Sequence, residues 1–381
     1  MLAINLAVFT RSFQEGTYAK MIENAIGEFT GYVQVHQKDY WADKTLDNGI
    51  ELNDSLLNKI TNIQNVDDIN IRLESFALAS FGNNTKGTLI MGINPKQEKQ
   101  MLKLEPKIIK GKLINENDKA IVLGSKLAEY LKISVGDTLV LMGQGHWGQS
   151  AINAYPVKGI LKMPSPMLNK QIVFMPLKLA QEYFSFENGA SSIVVKFKNA
   201  DDTYKITEEI NSTIDTTQYT AMAWQEMSPE MLQQIEGDKV GGIFMIAILY
   251  MIIAFGVFGT VLMMTEERKK EFAVMIAIGT QKSKLMIITA YETFFMNFIG
   301  VALGVLFTIP LVLYFHYNPI EMTGDAAKSI EKLGVEPILP TILRFSIFLN
   351  QIMAILFITV IASIYPLFTI FRLKVMKNLR R

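Results

Sequence analysis

The 381 residues contain no cysteine. Disulfides, thiolate metal sites and cysteine nucleophiles are therefore excluded. The absence also fits exposure to an oxidising compartment. Histidine is scarce: His36, His146 and His316 lie far apart and lack i, i+4 spacing, so they read as ordinary surface or turn residues rather than metal ligands. Neither sign of charge is in excess, with 37 Lys and Arg against 36 Asp and Glu, so nothing points to nucleic acid. A phosphate loop is missing as well. "GNNTKGT" (82–88) spaces two glycines like one, but Thr88 stands where the phosphate-binding lysine is needed, and no apolar helix follows. A hairpin turn is the expected structure there.

Long apolar runs are what the chain does have. "GGIFMIAILYMIIAFGVFGTVLMMT" (241–265) and "TFFMNFIGVALGVLFTIPLVLYF" (293–315) carry no charge, and "FSIFLNQIMAILFITVIASIYPLFTIF" (345–371) is a third such segment. A span needs about 20 apolar residues at about 1.5 Å rise each. A fourth run, "MLAINLAVF" (1–9), is too short and is followed by Arg11. It lacks a basic leader and a small-x-small cleavage site, so it reads as the outer half of a first span that begins upstream.

Lys and Arg in the flanks set the orientation. The segment 266–284 carries Arg268, Lys269, Lys270, Lys282 and Lys284, and the tail carries Arg372, Lys374, Lys377, Arg380 and Arg381. The loop 316–344 has Lys328, Lys332 and Arg344 offset by Glu321, Asp325, Glu331 and Glu336. The first two therefore face the cytoplasm. The loop 316–344 and the large segment from about residue 17 to 240 face out.

That large segment mixes strand and helix signals. "TGYVQVHQKDY" (30–40) alternates like a strand, and "NDSLLNKITNI" (53–63) has a helical period with an Asn cap. "VDDINIRLESFALASFG" (66–82) reads as strands meeting at a turn, and "AIVLGSKLAEYLKISVGDTLVLMG" (120–143) as strand, short helix, turn and strand. "SSIVVKFKN" (191–199) is a strand, followed by a helix over about 200–212 and a strand at 219–224.

The expected fold class is a membrane α-helical protein of four spans, the first truncated, with a large α+β extracytoplasmic domain. Its divisions are the end of the first span at 1–16, an outer α/β domain at 17–103 and 176–240, and a β-rich insert at 104–175. After these come a second span at 241–265, a cytoplasmic helical loop at 266–284, a third span at 285–315, an outer loop at 316–344, a fourth span at 345–371 and a cytoplasmic tail at 372–381.

The order of one span, a large outer domain and three further spans with a charged loop after the second resembles the ABC-transporter permeases of the MacB/FtsX type, and among them most of all the LolC/LolE lipoprotein-releasing permeases. The matching stretches are "FQEGTYAKMIENAIGEFTGYVQVH" (13–36), "GSKLAEYLKISVGDTLVLM" (124–142), "VKGILKMPSPMLNKQIVFMPLKLAQEYF" (157–184), "WQEMSPEM" (224–231), "EERKKEFAVMIAIG" (266–279) and "SIYPLFTIFRLKVMKNLR" (363–380). Ala273 stands where that family has Gly, and Ile276 where Lys or Arg is common.

The resemblance implies that 266–279 is a coupling helix seated on a separate ABC ATPase, with Glu267, Arg268, Glu271, Phe272, Met275, Ile276 and Gly279 as its contact residues. Phe272, Met275 and Ile276 share one helical face, the kind that docks in a groove. Glu267 and Glu271 form a like-charge i, i+4 pair that suits basic partners. Gly279 suits a left-handed helix cap. A membrane-surface helix with basic flanks is the plain alternative.

In the spans, Gly300 and Gly304 form a small-xxx-small pair for close helix approach. Glu292 is expected at the membrane interface, and Pro310 and Pro366 are expected to bend their helices. Met245, Met251, Met263 and Met264 offer adaptable apolar surface, for acyl chains or for helix packing. In the loop "KMPSPMLNK" (162–170), Pro164 and Pro166 stiffen the backbone, so Met163, Met167 and Leu168 are expected to project from a solvent-facing tip. The family resemblance makes that tip a candidate contact for a periplasmic lipoprotein carrier. A hairpin with its Met residues folded back is the alternative.

The implied protein is a permease of the cell inner membrane without catalytic residues, metal or cofactor. Its implied partners are the ATPase, a second permease copy or sister permease, lipoprotein cargo, the carrier and membrane lipids. A MacB-like exporter normally carries a fused ATPase domain. An FtsX-like signalling permease, which controls cell-wall hydrolases, usually has a smaller outer domain.

Overall fold

A computed structural model describes residues 2–325, 327 and 337–373. The tail residues Lys374, Lys377, Arg380 and Arg381 and the loop residues Lys328, Glu331, Lys332 and Glu336, used above for orientation, lie outside the described residues. The chain forms two compact units, one of 1–19, 234–321 and 338–381, the other of 20–233 and 322–337.

Helix α1 (Leu2–Ile22) leads through a π-helical turn, Glu23–Thr30, to strand β1 (Val33–Gln37), followed by β2 (Ile50–Glu51) and α2 (Asp54–Thr61). α2 begins at an N-cap: the Leu56 N–H donates to Asn53 Oδ1 at 2.7 Å. Leu56 and Ile60, at i and i+4, bury one face. Strands β3 (Asp68–Phe81) and β4 (Asn84–Ile93) make a long hairpin closed by Gly82 and Asn83, with Gly82 at φ +56°. The stretch 82–88 is thus a hairpin turn.

The reading of 66–82 as strands meeting at a turn is corrected to a single 14-residue strand. Charged residues within an apolar run suggest a break, but Arg72 lies fully buried inside this one. Its Nε donates to Glu98 Oε1 at 2.5 Å and its Nη2 to Glu98 Oε2 at 3.0 Å. A buried charge persists when such a bidentate partner and further hydrogen bonds meet it.

The chain continues through β5 (Ile108–Gly111), β6 (Ile121–Gly124), α3 (Ser125–Leu131), β7 (Thr138–Gln144), β8 (Ser150–Leu161), α4 (Pro166–Asn169), β9 (Ile172–Pro176) and α5 (Leu177–Tyr183). It then returns through β10 (Gly189–Ala190), β11 (Ser192–Lys196), α6 (Thr203–Thr213), β12 (Tyr219–Ala223) and α7 (Trp224–Met227). The main sheet runs β12-β1-β11-β3-β4-β9-β6-β8-β5, with β7 bridging β3 and β8. Strands β3, β4, β9, β6, β8 and β7 thereby close into a six-stranded barrel. Most pairs are antiparallel, while β4–β9 and β6–β8 are parallel.

β3 belongs to two layers. Residues 68–72 pair with β11 and residues 77–80 pair with β7. Leu73, Ile90, Leu141 and Val173 fill the barrel, whereas Ile60, Ile193 and Ile206 fill the layer between the flat part of the sheet and α2 with α6.

The helical unit holds most of α8 (Pro229–Glu267), then α9 (Lys269–Ala277), α10 (Lys282–Tyr317) and α11 (Phe345–Arg372). α8, α10 and α11 are long and apolar enough to cross a membrane. Ile4 and Val8 of α1 pack in one cluster with Ile347, Phe348 and Ile355 of α11. Polar side chains within the apolar helices find partners, as the absence of water demands: Thr308 bonds Asn5, and the Tyr250 hydroxyl donates to Gln351 Oε1 at 2.5 Å. Gly304 is buried, and Pro310 and Pro366 sit inside helices that continue through them.

An extended strap, Pro340 to Ile342, is tied to both α1 and α10. Ser12 exchanges hydrogen bonds with Ile342, and Thr341 Oγ1 donates to Val312 O at 2.7 Å. Gly16 makes the contact possible, since a Cβ there would lie 2.5 Å from Pro340 O.

Candidate functional site

The charged turn between α8 and α10 is built by local chemistry. α8 stops at Glu267, Arg268 takes φ −89° and ψ 0°, and α9 starts at Lys269. α9 ends on Gly279 at φ +105°. The Thr280 N–H donates to Met275 O at 2.9 Å and the Gly279 N–H to Ile276 O at 3.1 Å. This six-to-one closure needs a residue that accepts a left-handed backbone, which glycine does without a Cβ penalty.

The apolar face expected to be free for a partner is not free. Phe272, 2% exposed, and Ala273, 0% exposed, sit in a cluster with Leu285, Ile370 and Leu373. Met275 and Ile276 pack partly against it. Of the expected docking face, Phe272 turns inward and holds α9 against α10 and the end of α11, while Met275 and Ile276 remain half-buried at the edge of that cluster. An amphipathic pattern says that a face is covered, not what covers it.

Glu271 and Val274 lie on the outward face of α9, with Ile278 at its C-terminal end, at spacings of three and four, and Glu267 is the exposed last residue of α8. Val274 is 48% and Ile278 78% exposed. Residue spacing alone gave Val274 and Ile278 no role, although they follow Glu271 at three and seven residues, on the same side of the helix.

Arg268 anchors the turn. Its Nη1 donates to Glu292 Oε2 at 2.5 Å and its Nε to Glu271 Oε2 at 3.2 Å. The hydrogen bond with Glu292, followed by that with Glu271, holds the guanidinium above its ordinary range. Glu292 is thus paired rather than merely interfacial, and Glu271 meets a cation inside its own chain. Behind the pair, a cavity of about 550 Å³ opens between α1, α8 and α10. Leu2, Leu6, Ile253, Val257 and Met264 supply apolar wall, and Thr289, Thr293 and Asn297 line its polar end. Met245, Met251 and Met263 are exposed on α8, and Gly300 is half-buried on α10.

The loop 162–170 also departs from expectation. Met163 is 3% exposed and Leu168 packs partly against the same cluster, so neither projects. Pro166 opens the short helix α4, capped by Ser165, whose Oγ accepts from the Leu168 N–H. Pro164 precedes it, and Met167 alone of the three apolar residues stands out, at 58% exposure. Asn169 pins the loop, accepting from the Ser125 N–H at 3.0 Å.

Two family models cover this architecture. Residues 1–213 match the MacB-like periplasmic core domain, and residues 243–375 match the FtsX-like permease C-terminal region. The chain is an ABC transporter permease of the MacB/FtsX family. Family membership makes this permease a multi-pass membrane protein with a large extracellular domain.

This permease is 22% identical over 321 residues to the lipoprotein-releasing system transmembrane protein LolC of Xylella fastidiosa, covering 81% of this chain and 76% of that protein. It is 24% identical over 213 residues to an uncharacterized ABC transporter permease of Methanocaldococcus jannaschii, covering 54% of this chain and about half, 51%, of that protein. The periplasmic region of MacB from Actinobacillus actinomycetemcomitans superimposes with a TM-score of 0.38 at 17% identity, over 57% of this chain and 98% of that one.

Proposed function

We propose that this permease releases lipoproteins from the inner membrane, driven by a separate ATPase. The observation that carries the reading is the similarity to LolC, which runs through 81% of the chain and so spans both units. The outward face of α9 is the docking surface for the ATPase. Nucleotide-driven closure moves α9, and the Arg268–Glu292 pair passes that movement to α10. The apolar cavity between α1, α8 and α10 contributes to the space that holds acyl chains between two permease subunits. Withdrawing an acyl chain from the bilayer costs about 0.8 kcal/mol per methylene, so a multiply acylated anchor needs an energy source. Met167 remains the exposed candidate for contact with a periplasmic carrier.

The test is to purify the full chain from its native membranes together with the ATPase that copurifies with it and identify retained proteins by intact-mass spectrometry. Acylated proteins that leave on addition of ATP support the reading. A complex that retains no acylated protein at all contradicts it.

A further inference from the structure

Helices α10 and α11 meet at two clusters and part between them. In one cluster, Val301 and Val305 of α10 pack against Ile347, Phe348 and Ile355 of α11. In the other, beside the charged turn, Leu285 is buried with Ile370 and Leu373. Between them the small side chains Ala290, Thr359 and Ser363 leave a groove of about 820 Å³, the size of a ligand pocket. Ile287, Tyr291 and Phe294 form one wall, and Val360, Ile364 and Leu367 the other. From Ile287 to Asn297 the groove runs along ten residues of α10. That length is about 15 Å, or half of a hydrocarbon core of about 30 Å.

The polar side chains in its wall are spent on protein partners. Ser363 Oγ donates to Thr359 O at 2.8 Å, Asn297 Nδ2 to Thr293 O at 2.7 Å, and Thr359 Oγ1 to Asn297 Oδ1 at 3.5 Å. The groove therefore presents hydrocarbon to its occupant. Charge lies at one end. Lys284 stands on the same stripe of α10, three residues before Ile287 and seven before Tyr291. It is exposed and has no ion-pair partner among the described residues. The neighbouring cations are engaged: Lys282 Nζ donates to Phe371 O and Leu373 O, both at 3.0 Å, and Arg372 lies over the Phe368 ring at 4.2 Å.

We propose that this groove holds one phospholipid of the bilayer, with an acyl chain between α10 and α11 and an anionic headgroup against Lys284. The groove is one leaflet deep, its walls are apolar, and its single free cation lies at the interface end, so it matches an amphiphile in both length and charge. A lysine at that depth extends its ammonium to the headgroup level, and a tyrosine such as Tyr291 suits the boundary just below. An uncharged transmembrane helix in the same place would leave Lys284 without a counter-charge. The proposal rests on the shape of the spans and stands whatever the permease carries.

The test counts retained lipid. The full chain is exchanged into nanodiscs of equal phosphatidylglycerol and phosphatidylcholine, and the lipid that stays bound is identified by native mass spectrometry. The expected result is one lipid per chain, with phosphatidylglycerol preferred about fivefold, the effect of one lysine near an anionic surface. Lys284→Gln is expected to remove the preference. Lys270→Gln, on α9, which lines no part of the groove, is expected to keep it. Val360→Trp, at a position already 62% exposed, and Ala290→Leu fill the groove and are expected to lower retention of both lipids severalfold. Equal retention of the two lipids by the native chain overturns the proposal, as does a preference that survives Lys284→Gln or retention that neither groove variant lowers. So does photo-crosslinking from position 364 in native membranes that yields a protein adduct in place of a phospholipid.

Discussion

Arg268 and Glu292 meet at 2.5 Å, Nη1 to Oε2, and join the end of α8 to α10 across the charged turn. The two residues are 24 apart in sequence. Both side chains remain about a third exposed, so the pair is worth about 1 kcal/mol to stability rather than the larger value of a buried pair. Its greater role is geometric. Arg268→Ala and Glu292→Gln are each expected to lower the melting temperature only slightly. Both are expected to reduce the dependence of ATPase activity on cargo severalfold. A double-mutant cycle on the melting free energy is expected to give a coupling of about 0.5–1 kcal/mol, and strict additivity would contradict the pairing.

The two faces of α9 are separable by mutation. Phe272→Ala opens a cavity in the cluster with Leu285 and Ile370 and is expected to cost about 3–5 kcal/mol of stability. Val274→Asp and Ile278→Asp are expected to leave the melting temperature nearly unchanged and to weaken ATPase binding at least about tenfold, or about 1.4 kcal/mol. Melting curves and ATPase titrations check both. Weaker binding from Val274→Asp only in parallel with unfolding would contradict the assignment.

What could be read from the sequence was local. The Asn53 cap and the Gly279 stop depend on residues within one helical turn, and both are formed. Three further features depended on distant partners. Arg72 finds Glu98, 26 residues away, and so a single strand runs where a break was expected. Phe272 is covered by Leu285, Ile370 and Leu373, which no helical period identifies. Met163 folds onto a core that includes Met91 and Phe174, residues brought together when β4 pairs with β9, 83 residues apart in sequence at that pair.

Two glycines should respond oppositely to the same change. A Cβ at Gly16 would meet the Pro340 and Thr341 backbone at 2.5 and 2.9 Å. Backbone cannot step aside as a side chain can, so Gly16→Ala is expected to destabilise by about 1–3 kcal/mol. At Gly237, in α8, nothing lies within 4 Å, and Gly237→Ala is expected to stabilise by about 0.5–1 kcal/mol. Thermal unfolding in detergent distinguishes them, and equal shifts would contradict the strap contact.

His36 should mark the acid limit of the outer unit. Burial pushes its pKa down to about 4, while the Ser191 carbonyl acts upward and Lys44 acts downward. The imidazole stacks on Tyr40 and lies beside Trp41, and its Nε2 has no hydrogen-bond partner. The folded state thus favours neutral His36. Its contribution is fully present above the unfolded pKa of about 6.5 and is lost as pH falls toward 4. The full difference amounts to about 3 kcal/mol. Glu74, whose carboxyl is pushed up by burial, works in the opposite sense. The comparison is therefore His36→Phe against the native chain, followed by unfolding at pH 7 and pH 4.5. The variant should lose less stability over that interval, and an equal loss would contradict the assignment.

The central claim is tested most directly by reconstitution. The chain and its ATPase are placed in liposomes loaded with a triacylated protein, a soluble acceptor is supplied outside, and the acylated protein in the soluble fraction is measured with and without ATP. The account predicts ATP-dependent transfer that Val274→Asp abolishes while the permease stays folded. Full ATP hydrolysis with no acylated protein leaving the membrane, in the presence of acceptor, would contradict it.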